Sequence, residues 1–387
     1  MGVYDHGVYD NTSDTYVPLH SNSIISIGDS ITAGGSASSP KTRADRDWLG
    51  YASLVAPNLV YRRNAGIPSD TTALMVARFA TDVAAHNPGV VIINGGTGDA
   101  NSGVTLTAFA ANIRSMVTST RAIPAMPVLS TICPAKDAGA WRANVDLFNT
   151  WLRYYASNEG IPLIDFFSSL VDPDTGAFLA AYTYDGTHPS TSAVRLMGQM
   201  VADKLSPVLP AWFPPLPGHQ TTDDYNLVTG GLFLVDTNAD GLSDNFSKTA
   251  AGTASRVTGD TAIKGVWQRL AETATVQQFI GTSSITTGWS VGDRIAFTGR
   301  VKAVQGTSTG TTLVQCNFNG GTVNSMRPVN QYTGDFEGVF YIDDVVPSGT
   351  TSISAFFDRT PTVVGNGYTQ VAQMAVINLT TGGVLAA

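Results

Sequence analysis

The sequence predicts two architectures in one chain: a parallel α/β sheet covered on both faces, then an all-β sandwich of jelly-roll type. Three observations carry this. Residues 23–206 alternate short apolar runs with longer amphipathic segments. Residues 207–217, PVLPAWFPPLP, then place five prolines in eleven positions, which neither a helix nor a central strand accepts. Beyond about residue 222 Thr, Ser, Gly and Val dominate, and apolar residues recur with period 2 between Gly- and Ser-rich turns.

The apolar runs in the first part are Ile24–Ile27, Leu59–Tyr61, Val90–Ile93, Val128–Ile132 and Pro162–Ile164. Between and after them lie helical candidates at 48–56, 70–85, 105–120, 140–158 and 191–205; in the last, Ala193, Leu196, Met197, Met200, Val201 and Leu205 recur at helical spacing. Strands alternating with helices form a parallel sheet sandwiched between helix layers. The second part alternates over 294–304, 339–342 and 352–357. The expected organisation is an arm at 1–21, an α/β domain at 22–206, a Pro-rich linker at 207–221 and a β-sandwich at 222–387. The arm repeats Gly-Val-Tyr-Asp at 2–5 and 7–10, which reads as a flexible or partner-docked segment.

Composition excludes several classes. A net charge of −8 offers no basic excess to replace the counterions of a nucleic acid. No apolar stretch approaches the roughly 20 residues of a membrane span. The first residues lack a basic region followed by an apolar core, so no signal peptide is expected. Cys133 and Cys316 fall in different predicted domains, which argues against a disulfide between them.

One junction asks for chemistry. The first apolar run stops at Gly28-Asp29-Ser30, past the carboxyl end of a predicted strand, where parallel sheets bind ligands. A serine nucleophile needs a base and a group to orient that base. Of five histidines, His188 alone has a suggestive setting, Tyr184-Asp185-Gly186-Thr187-His188-Pro189, just before the last helix. A short turn brings Asp185 to its ring, and Pro189 suits the first helical position.

Gly28-Asp29-Ser30, Asn64-Ala65-Gly66, Gly96-Thr97-Gly98-Asp99 and Asp185-x-x-His188-Pro189 follow one another in that order. Over about residues 22–206 this pattern resembles the SGNH, or GDSL, hydrolases, a family of esterases and lipases. The resemblance implies a flavodoxin-like three-layer α/β/α fold. It also implies Ser30 as nucleophile, His188 as general base and Asp185 as the group that orients and charge-balances the imidazole. The oxyanion donors it implies are the N–H groups of Ser30 and Gly66 and an asparagine side chain in the third motif. Here the sequence departs, because Gly98 stands where that asparagine belongs. Asn101 is the first candidate replacement, with Asn94, the Gly98 N–H and a water as alternatives.

Other candidates are weaker. Arg62 and Arg63 offer an anion site or a solvated strand end, and Trp48, Tyr51, Trp141 and Tyr184 a sugar site or core. In the second part, Asp236, Asn238, Asp240 and Asp244 with Gly241 match the start of a calcium loop, although Ser247 stands where an EF-hand needs glutamate. Two readings stay open there: a structural calcium turn and a metal-free Asx turn. The texture of 226–387 resembles jelly-roll carbohydrate-binding modules, with Trp267, Trp289, Phe297 and Tyr341 as candidate stacking platforms.

The resulting expectation is a serine esterase, without a catalytic cofactor, that removes O-acyl groups, most simply acetyl, from a polysaccharide or cell-surface glycan. It would act outside the cell, with phage-tail association and assembly into a virion or homo-oligomer through the arm as further expectations. A lipase or short-chain esterase is the enzymatic alternative. A non-catalytic glycan-binding adhesion protein is the other.

Overall fold

The computed structural model describes residues 22–34, 42–136, 139–218, 226–320 and 324–380. The N-terminal arm lies outside these residues, as does most of 218–225. The described chain forms two compact units. Of the described residues, one unit contains 22–34 and those within 45–212, and the other contains 42–44 and those within 213–380.

The first unit is built on a five-stranded parallel sheet. Its strands are β1 (Ser23–Gly28), β3 (Val60–Gly66), β4 (Val90–Asn94), β5 (Met126–Ser130) and β6 (Leu163–Ile164), in the spatial order β3-β1-β4-β5-β6. That is the flavodoxin-like order, whose direction reverses between β1 and β4. Each predicted run became a strand because both faces are covered. Ile24, Val90, Ile92 and Val128 pack beneath α2 (Trp48–Val55), α7 (Phe166–Leu170) and α8 (Thr191–Leu205). The alternate residues Ile25, Ile27, Val91, Ile93 and Leu129 pack beneath α3 (Thr72–Asp82), α5 (Leu106–Ala122) and α6 (Ala140–Glu159). Residues with period 2 therefore feed two cores, and the runs read as continuously apolar.

Helix α2 starts at the buried Asp47, whose Oδ1 accepts the N–H groups of Leu49 and Gly50 at 3.1 Å each. It packs closely on α8: a Cβ at Gly198 would lie 2.7 Å from the Trp48 carbonyl oxygen. Pro189 does not take the first helical position. Ser190 caps α8 instead, its Oγ accepting from Ala193 N–H. Among the described residues no helix is long and apolar enough to cross a membrane.

The second unit is a sandwich of two sheets. One runs β2-β13-β12-β15-β10-β7, the other β14-β11-β16-β9-β8. These strands are β2 (Thr42–Ala44), β7 (Phe246–Lys248), β8 (Thr253–Val257), β9 (Trp267–Ala271), β10 (Gln278–Thr282), β11 (Arg294–Val304), β12 (Thr309–Asn319), β13 (Asn324–Thr333), β14 (Phe336–Val345), β15 (Ser352–Val363) and β16 (Tyr368–Asn378). All pair antiparallel except β2 with β13, so a three-residue strand from early in the sequence completes the first of these sheets. Cys133 and Cys316 are both buried free thiols.

The Asp236–Asp244 loop, the candidate for calcium, is closed by hydrogen bonds of its own. Asp236 accepts the N–H groups of Asp240 and Gly241, and Asp240 accepts Leu242 N–H. Asp244 accepts the N–H and hydroxyl of Thr237. Asn238 Oδ1 accepts Asp240 N–H, and Arg256 lies 3.4 Å from Asp236. Among the described residues no group of three or more His, Cys, Asp or Glu side chains is placed to hold a metal ion. The loop thus has the internal hydrogen bonds of an Asx-rich turn.

The candidate stacking platforms also divide. Trp267 is 3% exposed and Phe297 0%, so both are core. Tyr341 packs against Ala296, Ala375, Ile377 and Leu379. Trp289 is half-buried, its indole N–H donating to the Ile285 carbonyl.

One charged pair lies in this interior. Arg359 and Glu272 are both fully buried, with Arg359 Nε 2.9 Å from Glu272 Oε2. Arg359 also donates to Ser308 Oγ at 2.7 Å, and Glu272 accepts Gly365 N–H at 2.7 Å. Removing one partner strands the other charge without water. Glu272→Ala should therefore destabilise the β unit by about 3–5 kcal/mol. Hydrogen–deuterium exchange on the full chain should show β12 and β15 opening more readily. Unchanged exchange there would mean that water replaces the lost carboxylate.

Candidate active site

Ser30 sits where the chain leaves β1 and enters the short helix α1 (Ser30–Ala33). Two close approaches allow the turn. A Cβ at Gly28 would lie 2.2 Å from the Asn94 carbonyl oxygen, and one at Gly66 2.2 Å from Ala33 N. Only glycine fits either place, so both strands can crowd the serine. Arg78 holds the underside: it donates to the Gly28 carbonyl at 3.0 Å and pairs with Asp70 at 2.7 Å and Asp82 at 2.9 Å.

The loop before α8 supplies the partners. Asp185 Oδ1 accepts the N–H groups of Thr187 at 2.9 Å and His188 at 2.8 Å, which closes the turn. Thr183 Oγ1 donates to the His188 carbonyl and accepts Gly186 N–H, both at 2.8 Å. The remaining Asp185 oxygen meets His188 Nδ1 at 2.7 Å, and His188 Nε2 meets Ser30 Oγ at 2.9 Å. Asp185 is desolvated to some degree. The His188 N–H and ring and the Thr187 N–H outweigh this and hold its carboxyl at about 2. It is therefore an anion across the neutral range, and it fixes which imidazole nitrogen faces the serine.

The oxyanion candidates are distributed differently. Ser30 N–H opens α1 and makes no hydrogen bond within the described residues. Gly66 N–H already donates to Asn64 Oδ1 at 2.9 Å. Asn94 is built into the core, its amide donating to Ser130 Oγ at 2.6 Å and its carbonyl accepting Thr32 Oγ1 at 2.8 Å. Asn101 is exposed at the last residue of α4 (Thr97–Asn101), a full turn beyond Thr97, the residue of that helix that reaches Asp29. Neither Asn94 nor Asn101 is among the residues that line the cavity at the serine. Gly98 lies in the first turn of α4, where backbone N–H groups lack helical partners.

The cavity at the serine is about 240 Å³ and is lined by Ser30, Ile31, Arg46, Pro68, Tyr184, His188 and Val194, among others. Of the aromatic candidates only Tyr184 lines it; Trp48 is fully buried. Arg63 is committed to Asp82 and His86. The cation on the cavity wall is Arg46, which no motif marks and the sequence reading missed. Asp29 was also missed as a tie between helices. Its carboxylate accepts Ile31 N–H at 3.0 Å and Thr97 N–H at 3.3 Å.

Two outcomes follow from this geometry. A Cβ at Gly98 would lie 2.5 Å from the Asp70 carbonyl oxygen, which is backbone and cannot swing aside. Gly98→Asn, which restores the family's asparagine, should cost about 1–3 kcal/mol of stability through overpacking and should not raise the rate; a faster, equally stable variant would refute the clash. Burial lifts the Asp29 carboxyl from 3.8 to about 6, against the lowering effect of Ile31 and Thr97. A raised carboxyl favours the fold below its unfolded value and loses that contribution as pH rises through 6. Asp29→Asn should flatten this part of the profile, gaining on the order of 1–3 kcal/mol relative to the parent between pH 4 and 7. Parallel stability curves for the two proteins across that range would exclude the assignment.

A search of curated proteins gave no match. Solved structures that resemble the chain include a G-D-S-L-family protein from Desulfitobacterium hafniense DCB-2, with 28% identity, 48% of this chain and 99% of that chain covered, and a TM-score of 0.42. A GDSL-like lipase from Bacteroides thetaiotaomicron VPI-5482 has 23% identity, 47% and 87% coverage and a TM-score of 0.39. An acetylxylan esterase from Geobacillus stearothermophilus has 22% identity, 47% and 93% coverage and a TM-score of 0.42. Residues 26–196, the part that holds Ser30, Asp185 and His188, match the GDSL-like lipase/acylhydrolase family, and it is this α/β unit that the family describes.

Proposed function

We propose that the α/β unit is a serine ester hydrolase and that its substrate is a small O-acyl group, most simply acetyl, on a glycan. The observation that carries the hydrolase reading is the continuous hydrogen-bonded chain from Asp185 through His188 to Ser30, at 2.7 and 2.9 Å. Ser30 Oγ attacks the ester carbonyl carbon as its proton passes to His188 Nε2. The carbonyl oxygen gains the negative charge, stabilised by the Ser30 N–H and any neighbouring donor that turns to it. Collapse expels the alcohol oxygen, which takes the proton back from Nε2. Water then attacks the acyl-enzyme, giving its proton to Nε2, and releases the acid and Ser30. Asp185 stays ionised and balances the imidazolium in both halves.

Support for a small acyl group comes from cavity size. About 240 Å³ must hold both the acyl group and part of the leaving group, below the ~300–1,000 Å³ of drug-sized ligand sites. A long acyl chain needs an apolar channel, so the lipase reading is the weaker one. Support for a sugar leaving group comes from Tyr184, a residue 56% exposed on the cavity wall, where a tyrosine can contact a pyranose.

Ser30→Ala should abolish ester hydrolysis with the fold intact, and Asp185→Asn should lower kcat by at least about 10²-fold, since the amide no longer enforces the tautomer. Acetate release from acetylated glycans, beside 4-nitrophenyl esters of two to twelve carbons, tests the substrate. Rates falling with chain length support the acetyl reading; a maximum at long chains would replace it with the lipase. Full activity in Ser30→Ala would remove the mechanism altogether.

A further inference from the structure

Beside the serine lies a cation that the reaction does not use. Arg46 lines the cavity with Ser30 and His188, and its side chain is exposed. It makes no ion pair with any described residue; its recorded side-chain contact is with Tyr184, whose ring centre is 4.9 Å from the guanidinium carbon. The acids next to it in sequence are spent elsewhere. Asp45 accepts Thr191 Oγ1 at 3.1 Å and pairs with Arg195 at 3.5 Å. Asp47 caps α2 and accepts the Tyr61 hydroxyl at 2.9 Å. Asp185 is held by its own loop and by His188. The guanidinium thus keeps its donors while standing on a ring that itself stacks on His188, with centroids 5.7 Å apart and planes 14° from parallel.

The chain carries a net charge of −8, and an acidic protein repels an anionic ligand at long range. Among the described residues Arg46 is a cation without an ion pair on the wall of the serine cavity, where it offsets that repulsion locally. A second cation borders the same loop. The stem of exposed Lys136 lies against Gly186, within 2.8 Å of where a Cβ would stand there. Arginine is suited to this role because its planar fork matches a carboxylate or sulfate and still stacks on an aromatic face.

We infer that Arg46 selects an acidic glycan, binding an anionic group, a sugar carboxylate before a sulfate, next to the ester that Ser30 cleaves. The inference rests on the hydrolase reading of the preceding subsection and deepens it. Arg46, held over the Tyr184 ring, supplies the charge. A structural role, in which Arg46 merely steadies Tyr184, predicts instead an equal loss on charged and neutral substrates.

The experiment is a matched comparison on the full chain. Acetylated oligogalacturonate, acetylated neutral galacto-oligosaccharide and an acetylated sulfated analogue are assayed with the parent, Arg46→Gln and Arg46→Lys. The parent should favour an anionic substrate by about 10-fold or more in kcat/KM, chiefly through KM, with the preference shrinking as NaCl rises, since exposed charges are screened. Arg46→Gln should collapse the ratio towards one, and Arg46→Lys should keep part of it. The sulfated arm tells which oxyanion is read. Equal rates on charged and neutral substrates, or a ratio unmoved by Arg46→Gln, overturns the inference while the hydrolase reading stands. Should no ester be cleaved, the hydrolase reading fails on its own. Calorimetry of Ser30→Ala with unacetylated oligogalacturonate and its neutral counterpart then decides: binding of the acid alone, lost on adding Arg46→Gln, keeps the inference, and no preference ends it.

Discussion

The site depends on one carboxylate that takes no part in the bond-making. Asp29 is 2% exposed and is shared between the first turns of α1 and α4. Both helices begin where the sheet order reverses, so their N-termini converge. A carboxylate between two such termini satisfies donors that would otherwise be buried unpaired. The same contact sets the direction in which Ser30 leaves β1. Burial opposes it, which is why the carboxyl is lifted to about 6. The protein tolerates an unfavourable charge there because the alternative is a serine without a fixed direction.

Below this lies a second layer of constraint. Arg78 ties the Gly28 carbonyl to Asp70, and Asp99 accepts Thr72 N–H at 2.7 Å and Thr72 Oγ1 at 2.6 Å. The loop 67–70 is thus pinned to β1 on one side and to α4 on the other. It is this loop that leaves no room for a side chain at Gly98. The missing asparagine is therefore a property of the packing around Asp70. The family's side-chain donor has no place here, and the burden on backbone N–H groups increases accordingly.

Much of this was legible in the sequence, and the reason is periodicity. Strands buried on both faces leave unbroken apolar runs, so Ile24–Ile27 and Val90–Ile93 marked β1 and β4 directly. Asp185 and His188 were legible because an Asx turn spans the three residues between them. What escaped notice depends on contacts between residues distant in sequence. Arg46 precedes a helix cap and looks like any solvated arginine; only the fold places it against Tyr184, 138 positions away. Asn101 looked available because it shares a loop with the third motif, but it ends the short helix α4 and does not line the cavity. Trp267 and Phe297 looked like platforms because aromatic identity carries no sign of which sheet face it occupies. The Asp236–Asp244 loop satisfied a spacing rule for calcium, yet spacing does not tell whether the oxygens face an ion or their own N–H groups.

Charge placement follows the same logic in both units. In the β unit Arg359 is neutralised in the interior by Glu272, with Ser308 taking a further Arg359 donor and Gly365 N–H the other Glu272 oxygen. In the α/β unit Arg78 is neutralised by two aspartates, Arg63 by one, and Arg153 by Asp165 at 3.0 Å. Arg46 belongs to a smaller set that stacks on aromatic rings without an ion pair among the described residues, as Arg114 does over Trp151 and Tyr155; what distinguishes it is its place on the wall of the serine cavity. An arginine kept on an aromatic face and away from carboxylates holds its hydrogen-bonding capacity in reserve at little energetic cost, because its stacking leaves the edge of the guanidinium open. Leaving a cation unpaired gains nothing for folding. Its physical return comes only when an anion arrives.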